Sequence, residues 1–143
     1  MMEAALLSGL AIASTRTTLA HSISYPLTLH FGIPHGLACA FTIIQVLRFN
    51  AEENPDRLDQ IALLIGSKSS TRLADELETL LMKTGAYRWM GKFLKSNDEV
   101  IAIAPECMTP GRADNNPRMA SVDDVRTILS DAWSFIDPVH NTR

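Results

Sequence analysis

The stretch His21-Ser22-Ile23-Ser24-Tyr25-Pro26-Leu27-Thr28-Leu29-His30-Phe31-Gly32-Ile33-Pro34-His35-Gly36 holds three of the four histidines in the chain. On one straight helix, the fourteen-residue step from His21 to His35 would separate the two side chains by roughly 21 Å. A metal ion with bonds of about 2.0 to 2.1 Å to nitrogen needs both rings beside it. The two histidines can therefore share an ion only if the chain turns back between them.

The same stretch contains residues that turn a chain. Pro26 lacks an amide hydrogen and disfavours continued helix, and Gly32 tolerates a positive φ. Pro34 pushes Ile33 toward extended geometry. The sequence predicts a helix that ends near Pro26, a corner, and a second helix that opens at His35, so that adjacent elements present the two imidazoles to each other.

The remaining histidines and Tyr25 have less defined expectations. Tyr25 follows His21 by one helical turn and so lies on the same face, as a pocket wall. His30 falls in the predicted corner, as a solvated residue or a support for the ligands. His140 lies in a polar tail. A single helical histidine is usually a surface or hydrogen-bonded residue, so the spacing alone leaves metal binding by His21 and His35 open.

Cys39 offers an alternative site. It lies one turn beyond His35, where a thiol could complete a small zinc site with His21 and His35. Free cysteine is, however, among the most frequently buried residue types, so core packing is the expected role of Cys39.

Length and composition define the class of protein. The 143 residues are 46% hydrophobic, which is enough to bury the core of one domain spanning residues 1–143. The formal net charge of -3 gives no basic patch for nucleic acid. Two cysteines predict no disulfide framework, and the apolar runs 4–13 and 37–47 are too short for a membrane span. A cytoplasmic protein that binds neither nucleic acid nor membrane is expected.

Apolar residues recur at spacings of three and four, which predicts an all-α fold. The predicted helices cover residues 3–25, 35–50, 55–66, 70–84, 97–104 and 122–135. Asn54 and Pro55 predict a capped helix start, and Gly66 predicts its end. Ser121 and Asp124 have the spacing of a capping box.

Two other segments carry expectations. Residues 108–120 hold too many turn-forming residues for a regular element. The first predicted helix starts almost at Met1 with an apolar run that needs a partner surface. Such a start is expected of a domain cut near an internal boundary, and a natural start at a helix terminus would give the same pattern.

Residues 20–36 resemble the signature of the iron-containing (group III) alcohol dehydrogenases, in which a helical histidine, a polar ring four residues later, a Pro-Leu pair and a Pro-His-Gly turn occur in this order. The likeness extends to residues 38–50, which end in Arg48-Phe49-Asn50, and to Asn116-Pro117-Arg118. It implies a helical bundle like the C-terminal domain of the dehydroquinate synthase-like and iron-containing alcohol dehydrogenase fold.

The resemblance also implies a chemistry. His21 and His35 would be ligands of a divalent metal, Fe2+ first and Zn2+ as an alternative. NAD(P) and a small alcohol or aldehyde would complete the reaction in a full-length enzyme that could form a homo-oligomer, and Tyr25 would occupy the place of a proton-relaying histidine. The segment from His21 to Thr28 is similar to a subgroup associated with phosphonoacetaldehyde-type aldehydes.

Parts of the family pattern are missing. In that family an aspartate and a further histidine on an earlier helix complete the metal site, and an N-terminal α/β domain binds the nucleotide. The expectation is therefore the C-terminal, metal-binding part of a two-domain dehydrogenase, inactive alone. The alternative is a non-catalytic helical binding or oligomerisation module that keeps the scaffold.

Overall fold

The computed structural model describes residues 2–136, and this part of the chain is helical without a strand. The predicted all-α class is confirmed. The helices are α1 (Met2–Ser14), α2 (Leu19–Phe31), α3 (His35–Phe41), α4 (Ile43–Ala51), α5 (Pro55–Leu64), α6 (Ser70–Lys83), α7 (Ala86–Met90), α8 (Asn97–Ala102) and α9 (Val122–Trp133), with short 3-10 turns at Ala104–Cys107 and Ala113–Asn115. His140 lies outside the described residues.

Helix α2 lies at the centre of the fold. Leu19, Ile23 and Leu27 follow one another at four-residue spacing and are fully buried. They belong to the main hydrophobic core, to which α3, α4, α7, α8 and α9 also contribute. Helix α2 also packs on α3 and on the turn 104–107.

The course of α2 differs from the prediction in two ways. The expected helix 3–25 is interrupted at residues 15–18, where Thr18 is extended with a φ of -122°. Three threonines in this segment are stiff at χ1 and favour the break. At the other end, α2 continues through Pro26 to Phe31. Pro26 is itself buried, and burial of the leucine and isoleucine stripe, worth about 1.5 to 3 kcal/mol per side chain, offsets the proline penalty of about 3 kcal/mol.

Two smaller expectations were also wrong, and one short helix was not predicted. The predicted helix 35–50 is divided at Thr42, whose φ of -110° and ψ of 4° separate α3 from α4. Asn54 precedes α5, but its side chain makes no capping hydrogen bond. Helix α7 has only five residues, too few for a periodicity to reveal it.

The end of α5, the start of α9 and the loop before α9 are as predicted. Gly66 has a φ of 87° just past α5. The hydroxyl of Ser121 accepts a hydrogen bond from the amide of Asp124, whose carboxylate accepts one from the amide of Ser121, so the capping box is confirmed. Residues 108–120 form a loop with a single 3-10 turn.

The loop is tied to α4 by a buried pair of amides, here called the amide latch: Asn50 and Asn116. The Nδ2 group of Asn116 donates to Oδ1 of Asn50 at 2.6 Å and to the carbonyl of Arg118 at 2.7 Å, and Nδ2 of Asn50 donates back at 3.3 Å. Arg118 donates to the carbonyl of Phe49 at 2.9 Å and stacks on its ring. The latch fixes the end of the loop against the helical core.

Helix α1 buries none of its residues. Leu6, Leu7, Leu10 and Ile12 are 63, 59, 58 and 52% exposed. Among residues 2–136, no helix combines the length and the apolar character that crossing a bilayer requires.

Candidate metal centre

His21 in α2 and His35 at the start of α3 lie opposite each other, on either side of the corner that joins the two helices. Gly32 ends α2 in the left-handed region, with a φ of 66°, and donates its amide to the carbonyl of Thr28 at 3.0 Å. Pro34, with a φ of -54° and a ψ of 135°, then directs the chain into α3 at its first residue, His35. The corner is only three residues long, shorter than the one expected from Pro26.

The geometry of the two imidazoles suits one ion. Their Nε2 atoms are 3.2 Å apart, and the ring planes are inclined by 74°. Two nitrogens bound to one tetrahedral ion at about 2.0 to 2.1 Å lie roughly 3.3 to 3.4 Å apart. The rings thus converge, as the sequence predicted, and the residues present fit a divalent metal. That they ligate one remains a prediction.

A buried serine orients His35. The Ser24 hydroxyl donates to the carbonyl of His21 at 2.7 Å, and its oxygen lies 3.4 Å from Nδ1 of His35. Because that hydroxyl hydrogen is already used, the oxygen is free to accept the Nδ1 hydrogen of His35. This arrangement leaves the lone pair of His35 on Nε2, which faces His21, and neutral imidazole is the form that binds metals.

Cys39 lies beside both imidazoles. Its Sγ is 3.7 Å from Nδ1 of His21 and 3.7 Å from Nε2 of His35. Cys39 is partly exposed and is not among the residues of the main core, so the expected core role is wrong. Within residues 2–136, His21, His35 and Cys39 form a donor set with one candidate ligand atom from each, all within 4.8 Å of one another.

The site is electrostatically disposed to keep His21 neutral. Burial, the neighbouring His35 and the guanidinium of Arg112 together lower the pKa of His21. Arg112 lies over the ring of Tyr25, with its Cζ 4.3 Å from the ring centroid. No carboxylate of the described residues lies within ion-pair distance of Arg112.

Tyr25 forms one wall of a pocket next to the histidines. Its ring centroid is 5.5 Å from that of His35 and 6.1 Å from that of His21, and the side chain is 42% exposed. The pocket is lined by Tyr25, Pro26, Thr28, Leu29, His35, Glu106 and Thr109. That Tyr25 transfers a proton stays a prediction.

His30 lies in the last turn of α2 and not in the corner. Its Nε2 is 2.8 Å from a carboxylate oxygen of Glu106, in an exposed pair. The partner of His30 is thus Glu106 and neither of the two converging imidazoles.

Sequence reasoning missed Ser24 and Arg112. Ser24 carries a weak signal, since it lies three residues after His21 on the same helix. Arg112 carries none, because a loop residue far along the chain reaches Tyr25 only through the tertiary fold.

Residues 1–133 match the family model described as Fe-containing alcohol dehydrogenase family, C-terminal. The chain belongs to this family. The chain is 30% identical to phosphonoacetaldehyde reductase of Streptomyces viridochromogenes, over 92% of its own length and 35% of the length of that relative.

Two further relatives differ in their named substrates. Sulfoacetaldehyde reductase of Bilophila wadsworthia is 27% identical, over 90% of the chain and 36% of the relative. Lactaldehyde reductase of Escherichia coli is 22% identical, over 88% of the chain and 35% of the relative. The chain spans about a third of the length of these curated relatives. No solved structure matches it.

Proposed function

We propose that this chain is the metal-binding C-terminal part of an NAD(P)-linked alcohol dehydrogenase or aldehyde reductase, with His21 and His35 as ligands of a divalent ion. The observation that carries the proposal is the 3.2 Å approach of their Nε2 atoms in a chain of this family. By family, ferrous iron is the first candidate for the ion. An upstream nucleotide-binding domain would supply NAD(P), so the chain alone would be inactive, and its free thiols suit the cytoplasm.

A bound ion in this place would act as a Lewis acid that polarises the oxygen of an alcohol or aldehyde. The chain itself prepares the site. Ser24 holds His35 in the tautomer that exposes Nε2, and Arg112 disfavours protonation of His21. Tyr25 and its apolar neighbours would provide one wall beside the substrate.

Metal content tests the ligand assignment. The purified chain, dialysed to equilibrium against Fe2+ under anaerobic conditions, should bind about one ion above the level of the buffer by elemental analysis. His21→Ala and His35→Ala should each lose most of it, because each removes a ligand. His30→Ala is the matched control, since His30 pairs with Glu106 and should leave metal content unchanged. Equal metal retention in all variants would refute the assignment.

Activity is tested in a chimera. Phosphonoacetaldehyde reductase in which this chain replaces the matching C-terminal third should oxidise NAD(P)H with an aldehyde, and His35→Ala should abolish that activity. Tyr25→Phe separates the two proposed roles of the tyrosine. A pocket wall tolerates the change, whereas proton transfer requires the hydroxyl and would give a large loss of kcat.

We propose that the substrate is a small aldehyde with an anionic group, as in the phosphonoacetaldehyde-type subgroup. The support is Arg112, whose guanidinium lies on Tyr25 beside the histidines without a carboxylate partner in residues 2–136. A guanidinium binds phosphonate or sulfonate oxygens in a bidentate manner.

The substrate proposal predicts a charge-dependent effect. In the chimera, Arg112→Ala should raise KM for phosphonoacetaldehyde by about tenfold or more, the effect of losing one charge-assisted hydrogen bond of about 1.5 to 3 kcal/mol. KM for lactaldehyde, which has no such group, should change little. Arg112→Lys should recover part of the loss. Equal effects on both aldehydes would refute charge recognition by Arg112.

The second candidate function is a non-catalytic binding or oligomerisation module. The exposed apolar side chains of α1 favour it. It predicts that the chain self-associates in analytical ultracentrifugation, that Leu6→Glu with Leu10→Glu makes it monomeric, and that the histidine variants leave metal content unchanged. The dehydrogenase proposal predicts the opposite result for metal content.

A further inference from the structure

We propose that Cys39 is a third metal ligand, so that this chain holds a His2Cys site that favours zinc over ferrous iron. The inference deepens the proposed function and rests on the placement of its two histidines. It assigns to Cys39 a role that neither the expected core packing nor a two-histidine site contains.

The distances carry the inference. A sulfur bonded at about 2.3 Å and a nitrogen bonded at about 2.0 to 2.1 Å lie roughly 3.5 to 3.6 Å apart around a tetrahedral ion. The Sγ atom of Cys39 is 3.7 Å from a nitrogen of each histidine, and the two histidines are 3.2 Å apart. Each of these three distances is within a few tenths of an ångström of the value for two ligands of one zinc ion, and the two that involve His21 use different nitrogens of its ring.

One adjustment is required. His21 meets Cys39 through Nδ1 and His35 through Nε2, and a single ion takes only one of these nitrogens. One ligand atom from each of the three residues lies within 4.8 Å of the other two, so the adjustment that binding requires is a rotation of the His21 ring about its side-chain torsions.

Helical register explains why the sulfur is available. Cys39 lies one turn after His35 in α3, so the two side chains leave the same face of the helix. Since α3 starts at His35 directly after Pro34, the corner that brings the histidines together also delivers Cys39.

The second cysteine behaves in the opposite way. Cys107 is fully buried in the core, its thiol donates to the carbonyl of Ile103 at 3.4 Å, and burial raises its pKa to about 12. A thiol in that setting is a poor ligand. Cys107 therefore provides an internal control for any effect of Cys39.

The choice of metal follows from the donor atoms. Two imidazoles and a thiolate are a softer set than the aspartate and three histidines that the family resemblance implies. A thiolate ligand favours zinc over ferrous iron, and in this chain by itself the three protein ligands would leave the fourth position to a water.

The test uses cobalt as a spectroscopic substitute for zinc. The metal-free chain is titrated with Co2+, and Zn2+ affinity is then obtained by competition. The wild-type chain should develop a thiolate-to-cobalt charge-transfer band in the near ultraviolet. Cys39→Ser and Cys39→Ala should lose the band and bind Zn2+ at least about tenfold more weakly. Losing a ligand should cost at least as much affinity as losing a residue that only supports a ligand, which is about tenfold.

Controls separate this proposal from the proposed function. Cys107→Ala should keep both the band and the affinity, with folding checked by circular dichroism. If the wild-type chain binds Co2+ without the thiolate band, and His21→Ala and His35→Ala lose that binding, then Cys39 is not a ligand and the two-histidine site stands. Ions unaffected by any histidine variant would overturn both. Zinc binding no tighter than that of ferrous iron would overturn the metal preference.

Discussion

Replacing Asn116 with alanine should destabilise the fold through the amide latch. The substitution removes the 2.6 Å and 3.3 Å hydrogen bonds with Asn50 and the 2.7 Å bond to the carbonyl of Arg118. Asn50 is 7% exposed, so its amide then remains in the interior with little access to water.

The magnitude follows from these bonds. Each contributes a net of about 0.5 to 1.5 kcal/mol, and an unsatisfied buried amide costs about 1 to 3 kcal/mol. Because partial hydration relieves some of this, the free energy of unfolding should fall by about 2 to 4 kcal/mol. With a urea dependence of about 2 kcal/mol per molar, the unfolding midpoint should fall by about 1 to 2 M.

Urea unfolding followed by far-ultraviolet circular dichroism measures the effect. Asn115→Ala is the matched control, since Asn115 is exposed and its side chain donates a single hydrogen bond, to the carbonyl of Thr17 at 3.3 Å. The double variant Asn50→Ala with Asn116→Ala should lose less than the sum of the single losses, because the two amides stabilise each other. A midpoint for Asn116→Ala equal to that of Asn115→Ala would refute the role of the latch.

Three further outcomes are expected. By NMR titration, His21 should have a pKa below that of an ordinary histidine because of burial and of its neighbour His35, and His35→Ala should raise that pKa; no change in His35→Ala would contradict the effect of the neighbour. Leu27→Ala should lower the free energy of unfolding by about 2.5 to 5 kcal/mol, whereas Leu29→Ala, at a position 76% exposed, should have little effect; similar losses would place the core elsewhere. The capping hydrogen bonds hold the pKa of Asp124 below its usual range, so its contribution to stability is complete above about pH 4 and is lost as the pH falls through the lowered pKa. In thermal melts over a series of pH values, the stability of Asp124→Asn should fall less at acid pH than that of the wild-type chain. An equal fall would assign the acid-dependent loss of stability to other carboxylates.

The sequence predicted the parts of this molecule that local chemistry controls. Glycine at position 32 adopts a left-handed conformation that other residues rarely adopt, and this made the corner predictable before its geometry was known. The capping box at Ser121 depends on neighbours three residues apart, and so does the start of α9.

The errors came where tertiary packing outweighs local preference. Pro26 should end a helix by its own chemistry, but the buried stripe on both sides of it holds α2 together. Cys39 was expected in the core by residue type, yet its place on α3 brings it to the histidines. The position of Arg112 over Tyr25 depends on contacts between distant segments, for which a single sequence contains no signal.

The three-residue corner has a consequence for selectivity among ions. The ring of Pro34 restricts φ, and Gly32 occupies a conformation confirmed by its own hydrogen bond, so few backbone rotations remain between the imidazoles. The backbone of the corner thus favours a short distance between the two rings, whichever way each ring is rotated. If the two histidines bind an ion, as proposed, a cation that requires much longer bonds would have to move this corner, and the backbone would contribute to discrimination by size.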